Sequence, residues 1–193
     1  MTTRLDDKAS ERIARIRATS MLTDKELVKQ FNITQYGLNK IKKQFEDRLK
    51  LTDKDWIYGA LRTLKKSTVA QIVDYIDYKN RLSLNDKEIK RGLGQLLKEG
   101  YAYNINGTWN HSQRLIEVYV NKTNKFVSEV ELGQFDLKKF KKLYKTKDWD
   151  YLMYEQFNIS PDVIKKFEGT VSMDFDFRQF TYVLTCRQGE SSD

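Results

Sequence analysis

Apolar residues recur every three or four positions through most of the first hundred residues, a period typical of amphipathic helices. The candidate helices after the first follow a capping residue such as Thr23, Thr34, Thr52 or Asn85, and Gly100 is the expected end of the last one. The predicted helices cover residues 5–19, 23–31, 34–49, 52–65, 67–77 and 85–99. The N-terminal half is therefore expected to be largely helical.

The pattern changes from a helical to a strand period after Gly100. Tyr101, Tyr103 and Ile105 alternate with polar residues before the pair Asn106-Gly107, which strongly favours a tight hairpin turn. Further alternation predicts strands at 115–120, 125–130, 171–177 and 180–186, and helical periods return at 137–144 and 148–157. We expect a mainly α fold with β-hairpins that ends in an α+β segment.

The segment 26–43 has the pattern of two helices joined by a very tight turn. Leu27, Phe31, Leu38 and Ile41 form its inward positions, and Asn32 tolerates the left-handed backbone that such a turn requires. In these residues the segment resembles the helix-turn-helix unit of DNA-binding regulators. The resemblance implies DNA contact through the outward residues of the second helix, which are Thr34, Gln35, Tyr36, Asn39, Lys40 and Lys43.

These residue types suit a DNA groove. The amide of Gln35 or Asn39 is able to pair with an adenine edge, and lysines such as Lys40 and Lys43 contact phosphates. The alternative is a helical hairpin whose polar face meets only solvent.

Residues 52–109 resemble a winged-helix domain, with three helices followed by a two-stranded hairpin. The best match is the third helix, which has a polar start, an Ile/Leu stripe and a Leu-Leu-Lys-Glu-Gly-Tyr ending. The resemblance implies that DNA contacts come from Lys87, Lys90, Arg91, Gln95 and Lys98, with Asn106 at the tip of the wing. The alternative is protein binding, which many winged helices perform.

The C-terminal third repeats a motif from the first helix-turn-helix. Gln-Phe-Asn-Ile-Thr at 30–34 recurs as Gln-Phe-Asn-Ile-Ser at 156–160, which suggests a degenerate helix-turn-helix over 150–167. Tyr154 is bulky and Asp162 would be repelled by DNA, so we expect a structural or protein-contact role. Nearby lysines either bind phosphate or form a solvated helix face; they are Lys138, Lys139, Lys141, Lys142, Lys145 and Lys147.

The net charge of +8 is unevenly distributed along the chain. Residues 1–50 carry 12 basic and 7 acidic groups, residues 51–113 carry 10 and 7, and residues 114–193 carry 13 of each. A polyanion is therefore expected to bind the first two-thirds. No apolar run approaches the roughly 18 residues of a membrane span, and the first 20 residues lack a signal-peptide core, so we expect a cytoplasmic, DNA-associated protein with no membrane contact.

The residues needed for common catalytic sites are scarce. His111 is the only histidine and is expected at the surface, and the single Cys186 is expected to be a buried strand thiol. Asp174 and Asp176 lie two apart on a predicted strand, where a structural role outweighs a nuclease site. We therefore predict no enzymatic activity, no cofactor and no metal.

The sequence as a whole predicts three domains at 1–50, 51–113 and 114–193. The expected function is sequence-specific binding of double-stranded DNA, as a transcriptional regulator or site-marking factor of a phage or mobile element. The alternative is a winged-helix scaffold that binds a larger polymerase, nuclease or other protein, with DNA contact secondary. A homodimer and a protein partner on the C-terminal segment are further expectations.

Overall fold

The computed structural model describes residues 5–45, 47–80, 83–147, 150 and 152–188. Within these residues the helices are α1 (Asp7–Thr19), α2 (Asp24–Gln30), α3 (Gln35–Phe45), α4 (Asp53–Leu64), α5 (Val69–Asn80), α6 (Asp86–Lys98) and α7 (Leu137–Tyr144). The strands are β1 (Lys66–Ser67), β2 (Ala102–Ile105), β3 (Thr108–Val120), β4 (Phe126–Glu131), β5 (Phe157–Ile159) and β6 (Phe180–Gln188). A 3-10 turn covers Ile164–Lys166.

Side-chain caps fix the starts of the helices where the sequence predicts them. Thr23, Thr52 and Asn85 each accept a hydrogen bond from the backbone three residues on, and an acidic side chain at that position bonds back to the cap. Thr34 accepts from the Gly37 amide at 3.0 Å. These caps satisfy amides that have no partner inside the helix.

Strand β3 is the centre of a six-stranded antiparallel sheet. Its first half pairs with β1 and β2, and its second half pairs with β4 and β6. Strand β5 extends the sheet from the far side of β6. The helices predicted over the first hundred residues and at 137–144 are confirmed, as are the hairpins of β2 with β3 and of β3 with β4. These hairpins are part of one sheet, so the fold is α+β and not mainly α.

Two apolar cores lie along the chain. The first takes buried residues from α1 to α6 and β2, and it includes Phe31, Ile57, Leu61, Ile76 and Leu93. The second combines the sheet, α7 and the segment before β6. Residues of the predicted segments 1–50 and 51–113 share the first core, and β3 runs across the predicted boundary at 113. The division into three domains stays a prediction.

The C-terminal segment differs from the sequence expectations in two places. The helix predicted over 148–157 is wrong for the residues that the structure describes, since 152–156 are irregular and Phe157 begins β5. The degenerate helix-turn-helix over 150–167 is therefore also wrong. The strand predicted over 171–177 is wrong as well, because 171–176 lack strand pairing, although Val171 and Met173 are buried in the second core.

Local hydrogen bonds explain why no helix forms before β5. The carboxylate of Asp150 accepts from the amides of Tyr154 at 2.5 Å and Glu155 at 3.3 Å. Met153 has a φ of 55°, which interrupts a right-handed helix. The residues that follow pair with the backbone of β6 and form β5, beginning with Phe157 opposite Leu184.

Candidate nucleic-acid interface

A tight turn fixes the orientation of α3 on α2. Asn32 adopts a φ of 49°, as predicted for the left-handed residue of the turn, and the Ile33 amide donates to the Val28 carbonyl at 3.1 Å. Leu38 and Ile41 are buried in the first core. The Asn32 side chain also donates to the Ser172 carbonyl at 2.6 Å, so the turn contacts the segment that precedes β6.

The outward side of α3 is polar, basic and free of acidic residues. The predicted contact residues are all exposed, and we call them the α3 surface: Thr34, Gln35, Tyr36, Asn39, Lys40 and Lys43. Tyr36 is 80% exposed, which is unusual for a large aromatic side chain. Gln35 donates to Asn39 at 3.2 Å, so the two amides lie side by side.

Lys42, the remaining lysine of α3, has a different role. Lys42 donates to Asp24 at 2.6 Å, and this bond, with that of Arg17, lowers the pKa of the Asp24 carboxyl. Among the described residues, Lys40 and Lys43 form no ion pair. Their charges are therefore available to an external anion.

Helix α6 presents a second basic side. Its predicted contact residues are exposed, and we call them the α6 surface: Lys87, Lys90, Arg91, Gln95 and Lys98. Two of its cations meet carboxylates at long range, Lys90 with Asp86 at 4.0 Å and Arg91 with Asp53 at 3.9 Å. Exposed pairs of this length are weak and screened by salt, so they leave most of the positive potential in place.

Close packing on α4 holds α6 with this side outward. Ile89 and Leu93 are buried, and a Cβ added at Gly92 would lie 2.3 Å from the terminal methyl of Ile57, so a larger residue there would require the Ile57 side chain to move. A Cβ added at Gly94 would meet no atom within 4 Å, so this glycine faces open space and has no side chain that projects from the outward side of α6.

The hairpin of β2 and β3 follows directly from the end of α6. Its turn residues Asn106 and Gly107 have φ values of 51° and 83°, as expected for an Asn-Gly turn. Asn104 accepts from the Gly107 amide at 3.1 Å, and Asn106 is exposed at the tip. The Tyr101 amide donates to the Leu96 carbonyl at 2.8 Å, which joins hairpin and helix.

The predicted contact residues thus form two groups. Helix α3 packs on α1 and α2, whereas α6 packs on α4 and α5 and carries the hairpin beside it. The α6 surface and Asn106 belong to one unit, and the α3 surface belongs to another.

Buried charged residues, which sequence patterns do not identify, join these units to the sheet. Arg62 on α4 donates to both carboxylate oxygens of Glu131 on β4, at 2.6 and 2.9 Å, and both side chains are 1% exposed. Burial alone would raise the pKa of Glu131, but the charge and hydrogen bonds of Arg62 lower it overall. Arg62 also donates to Gln30 on α2 at 2.8 Å. The pair therefore connects α2, α4 and β4.

Arg12 adds a second contact between the helices and the sheet. Its guanidinium donates to the carbonyls of Leu132 and Gly133, both at 2.9 Å, and to the Tyr58 hydroxyl at 2.7 Å. It also lies 4.4 Å from the centre of the Tyr101 ring. Helix α1 is thereby fixed to the loop after β4.

Arg114 on β3 performs the same function at the end of α6. It donates to the Gly100 carbonyl at 2.9 Å, to Leu152 at 2.7 Å and to Met153 at 2.8 Å. Burial lowers the pKa of this guanidinium. Three chain segments converge on one buried cation.

His111 is buried, so the expectation that it lies at the surface is wrong. It is 5% exposed on β3, and its Nδ1 has no hydrogen-bond partner among the residues that the structure describes. Burial, followed by the charge of Arg62, lowers its pKa to about 3. His111 is therefore a neutral residue of the interior.

We expect His111 to make the stability of the fold depend on pH. The pKa of His111 in the folded chain, about 3, lies below the ordinary value of about 6.5. Between these two pH values, only the unfolded chain binds a proton at this residue. The stability that the neutral ring contributes is complete above about pH 6.5 and is lost as the pH falls towards 3. From pH 6.5 to 5, the wild type should lose about 1–2 kcal/mol more than His111→Gln. Urea unfolding at both pH values measures this difference, and equal losses would contradict it.

No group of three His, Cys, Asp or Glu side chains is placed to hold a metal within the described ranges. Asp174 is exposed, and the Asp176 amide donates to the Tyr182 hydroxyl at 2.7 Å. Cys186 lies half-buried on β6, and burial raises the pKa of its thiol. No helix in the described part of the chain is long and apolar enough to span a bilayer.

Residues 113–185 match a family model described as a domain of unknown function, DUF7683. The match covers less than half of the chain and runs from β3 to β6. Comparison with curated proteins and with solved structures gave no match. The matched segment contains the buried residues of the second core, and it excludes the α3 and α6 surfaces.

Proposed function

We propose that this protein binds double-stranded DNA in a sequence-dependent manner and acts by binding alone. The observation that carries the proposal is the α3 surface, where exposed amides, an aromatic ring and two unpaired lysines project from a helix without acidic residues. Amides recognise base edges, and lysines hold the phosphates on either side. A transcriptional regulator or a site-marking factor of a phage or mobile element would need this combination.

The order of the central elements supports a second recognition helix. Helix α4, strand β1, helices α5 and α6, and strands β2 and β3 follow one another as in a winged helix. In such a unit α6 enters the major groove and the β2–β3 hairpin is the wing. Arg91 is then the residue suited to guanine, and the lysines of the α6 surface suit phosphates.

Two helices that each bind weakly gain affinity when one chain carries both. After the first helix binds, the second is held at a high effective concentration near the duplex. The buried contacts of Arg62 and Arg12 support this arrangement, because they hold the helices on a common sheet.

Binding of the wild type to random-sequence duplexes at several salt concentrations tests the proposal. We expect affinity to fall steeply as salt rises, and selection from the same library to enrich one sequence. An enriched palindrome would indicate a homodimer. No binding at low salt, or affinity independent of salt, would contradict the proposal and favour the protein-scaffold alternative.

We expect Lys90→Glu/Arg91→Glu to weaken binding to the selected duplex by at least about tenfold, since a good bidentate contact to guanine is worth about 1–3 kcal/mol. The variant should also discriminate less well between the selected and scrambled duplexes. Fluorescence anisotropy measures both effects. Lys122→Glu/Lys125→Glu is the matched control, because it makes the same charge change at exposed sites near the β3–β4 turn. An equal loss in both variants would show that net charge alone, and not the α6 surface, determines affinity.

A further inference from the structure

Helix α7 carries a dense group of lysines whose role the proposed recognition helices do not explain. Its apolar side is buried, with Phe140 1% exposed and stacked on Phe135 at 5.0 Å. The opposite side is basic, and we call it the α7 lysine face: Lys138, Lys139, Lys141, Lys142 and Lys145. Residues 137–147 include no acidic residue.

Most of these lysines form no ion pair with the part of the protein that the structure describes. In the described ranges, Lys138, Lys141, Lys142 and Lys145 take part in no ion pair. The Lys139 ammonium donates to the Lys166 carbonyl at 3.4 Å and lies 5.9 Å from the centre of the Phe140 ring. By contrast, Arg15, Arg17 and Lys54 each meet a carboxylate. Because like charges repel, a cluster of lysines without ion pairs is stabilised when an external anion binds.

A groove connects this face to the α6 surface. Lys138 and Lys141 lie along one side and Lys98 of α6 lies along the other, over a floor of Leu97, Leu137 and Leu152. The groove has a volume of about 530 Å³. Positive potential therefore continues from the end of α6 onto α7.

The two sides of the groove are fixed relative to each other. Arg114 joins Gly100, just after α6, to Leu152 in the groove floor. The Tyr101 hydroxyl donates to the Phe135 carbonyl at 2.8 Å and accepts from the Phe135 amide at 2.9 Å, two residues before α7. Both helices would thus present their cations to one rigid partner at the same time.

We propose that the α7 lysine face binds the phosphodiester backbone of the same duplex that α6 contacts, flanking the bases that α6 recognises. This inference rests on the proposed function. A regular row of phosphates suits several lysines that form no ion pair within the described ranges, and the groove places Lys138 and Lys141 opposite Lys98. A membrane surface suits it less, because Phe140 is buried and α7 has no free apolar side to insert.

Lys138→Gln/Lys141→Gln tests this role. We expect the slope of log affinity against log salt to decrease by about 1–2, at about 0.9 for each phosphate contact. Affinity should fall for the selected and the scrambled duplex alike, so that their ratio stays unchanged, because phosphate contacts carry no sequence information. Lys122→Gln/Lys125→Gln is the matched control and should retain the wild-type slope, as should Lys138→Arg/Lys141→Arg.

The outcomes separate this inference from the proposed function. If the wild type binds duplex DNA and the glutamine variant keeps its affinity and slope, the role of α7 is wrong and DNA binding stands. If the wild type does not bind duplex DNA at low salt, both proposals are wrong. A changed ratio between selected and scrambled duplexes would overturn a purely backbone role for α7.

Discussion

Glu131→Ala is expected to lower the free energy of unfolding by about 3–5 kcal/mol, the usual effect of removing one partner of a buried ion pair. Glu131 accepts two hydrogen bonds from Arg62 and lies 3.9 Å from Arg12. Without this carboxylate, both guanidinium groups would remain charged in a poorly hydrated interior, since the pKa of arginine is too high for deprotonation. The loss therefore reflects uncompensated charge more than the strength of the pair itself.

Urea unfolding at pH 7 measures this loss, and Glu129→Ala is the matched control. Glu129 lies on the same strand and pairs with Arg187, but these side chains are 35% and 39% exposed. An exposed pair contributes about 0–1 kcal/mol, so the control should lose little. Similar losses in the two variants would contradict the argument. Arg62→Met/Glu131→Leu should be more stable than Glu131→Ala, because it leaves no unpaired charge at these two positions.

The Arg62–Glu131 pair also bears on the proposed function. It contacts Gln30 at the end of α2, next to the turn that orients α3. Loss of Glu131 should therefore disturb the position of α3 before that of α6, which is held on the sheet by the Tyr101–Leu96 hydrogen bond and by Arg114. Stability and the proposed recognition would then be coupled through a residue that lies far in sequence from the proposed DNA contacts.

Local signals made the N-terminal half of the fold predictable from the sequence. A cap such as Asn85, a left-handed residue such as Asn32 and a stop such as Gly100 act within a few positions. The hydrophobic period then identifies which side of each helix is buried, so the outward residues of α3 and α6 could be predicted individually. The exposed positions of these residues are confirmed, whereas their contact with DNA stays a prediction.

The repeated motif shows where local signals stop being sufficient. Gln-Phe-Asn-Ile ends α2 at its first occurrence and forms β5 at its second. The first Asn is in the left-handed region, whereas Asn158 pairs with Val183 of a strand that follows it by more than twenty residues. Strand formation depends on such distant partners, which the motif itself does not contain.

Buried charges were unpredictable for the same reason. Arg62, Arg114 and Glu131 have the residue types of a solvated surface, and only the fold brings their partners together. His111 follows a predicted turn, which suggests exposure, but it lies on the longest strand of the sheet and faces Arg62 and Glu131. The α7 lysines were identified from the sequence, but their groove with Lys98 was not.

Lys40→Glu/Lys43→Glu is expected to weaken binding to the selected duplex by at least about 100-fold, since each lost hydrogen bond to a charged group costs about 1.5–3 kcal/mol. Both lysines are exposed and lack ion pairs in the described part of the chain, so no internal contact is lost. The two new carboxylates would also repel the phosphates. Anisotropy titrations at several salt concentrations should show the lower affinity together with a smaller salt slope.

Two controls make this result specific to the α3 surface. Lys122→Glu/Lys125→Glu carries the same charge change and should bind nearly as well as the wild type. Lys42→Gln removes the α3 lysine that contacts Asp24. It should therefore reduce thermal stability more than DNA affinity. If Lys40→Glu/Lys43→Glu binds as well as the β3–β4 turn control, α3 is not a recognition helix. The DNA-binding role would then depend on the α6 surface and the α7 lysine face alone.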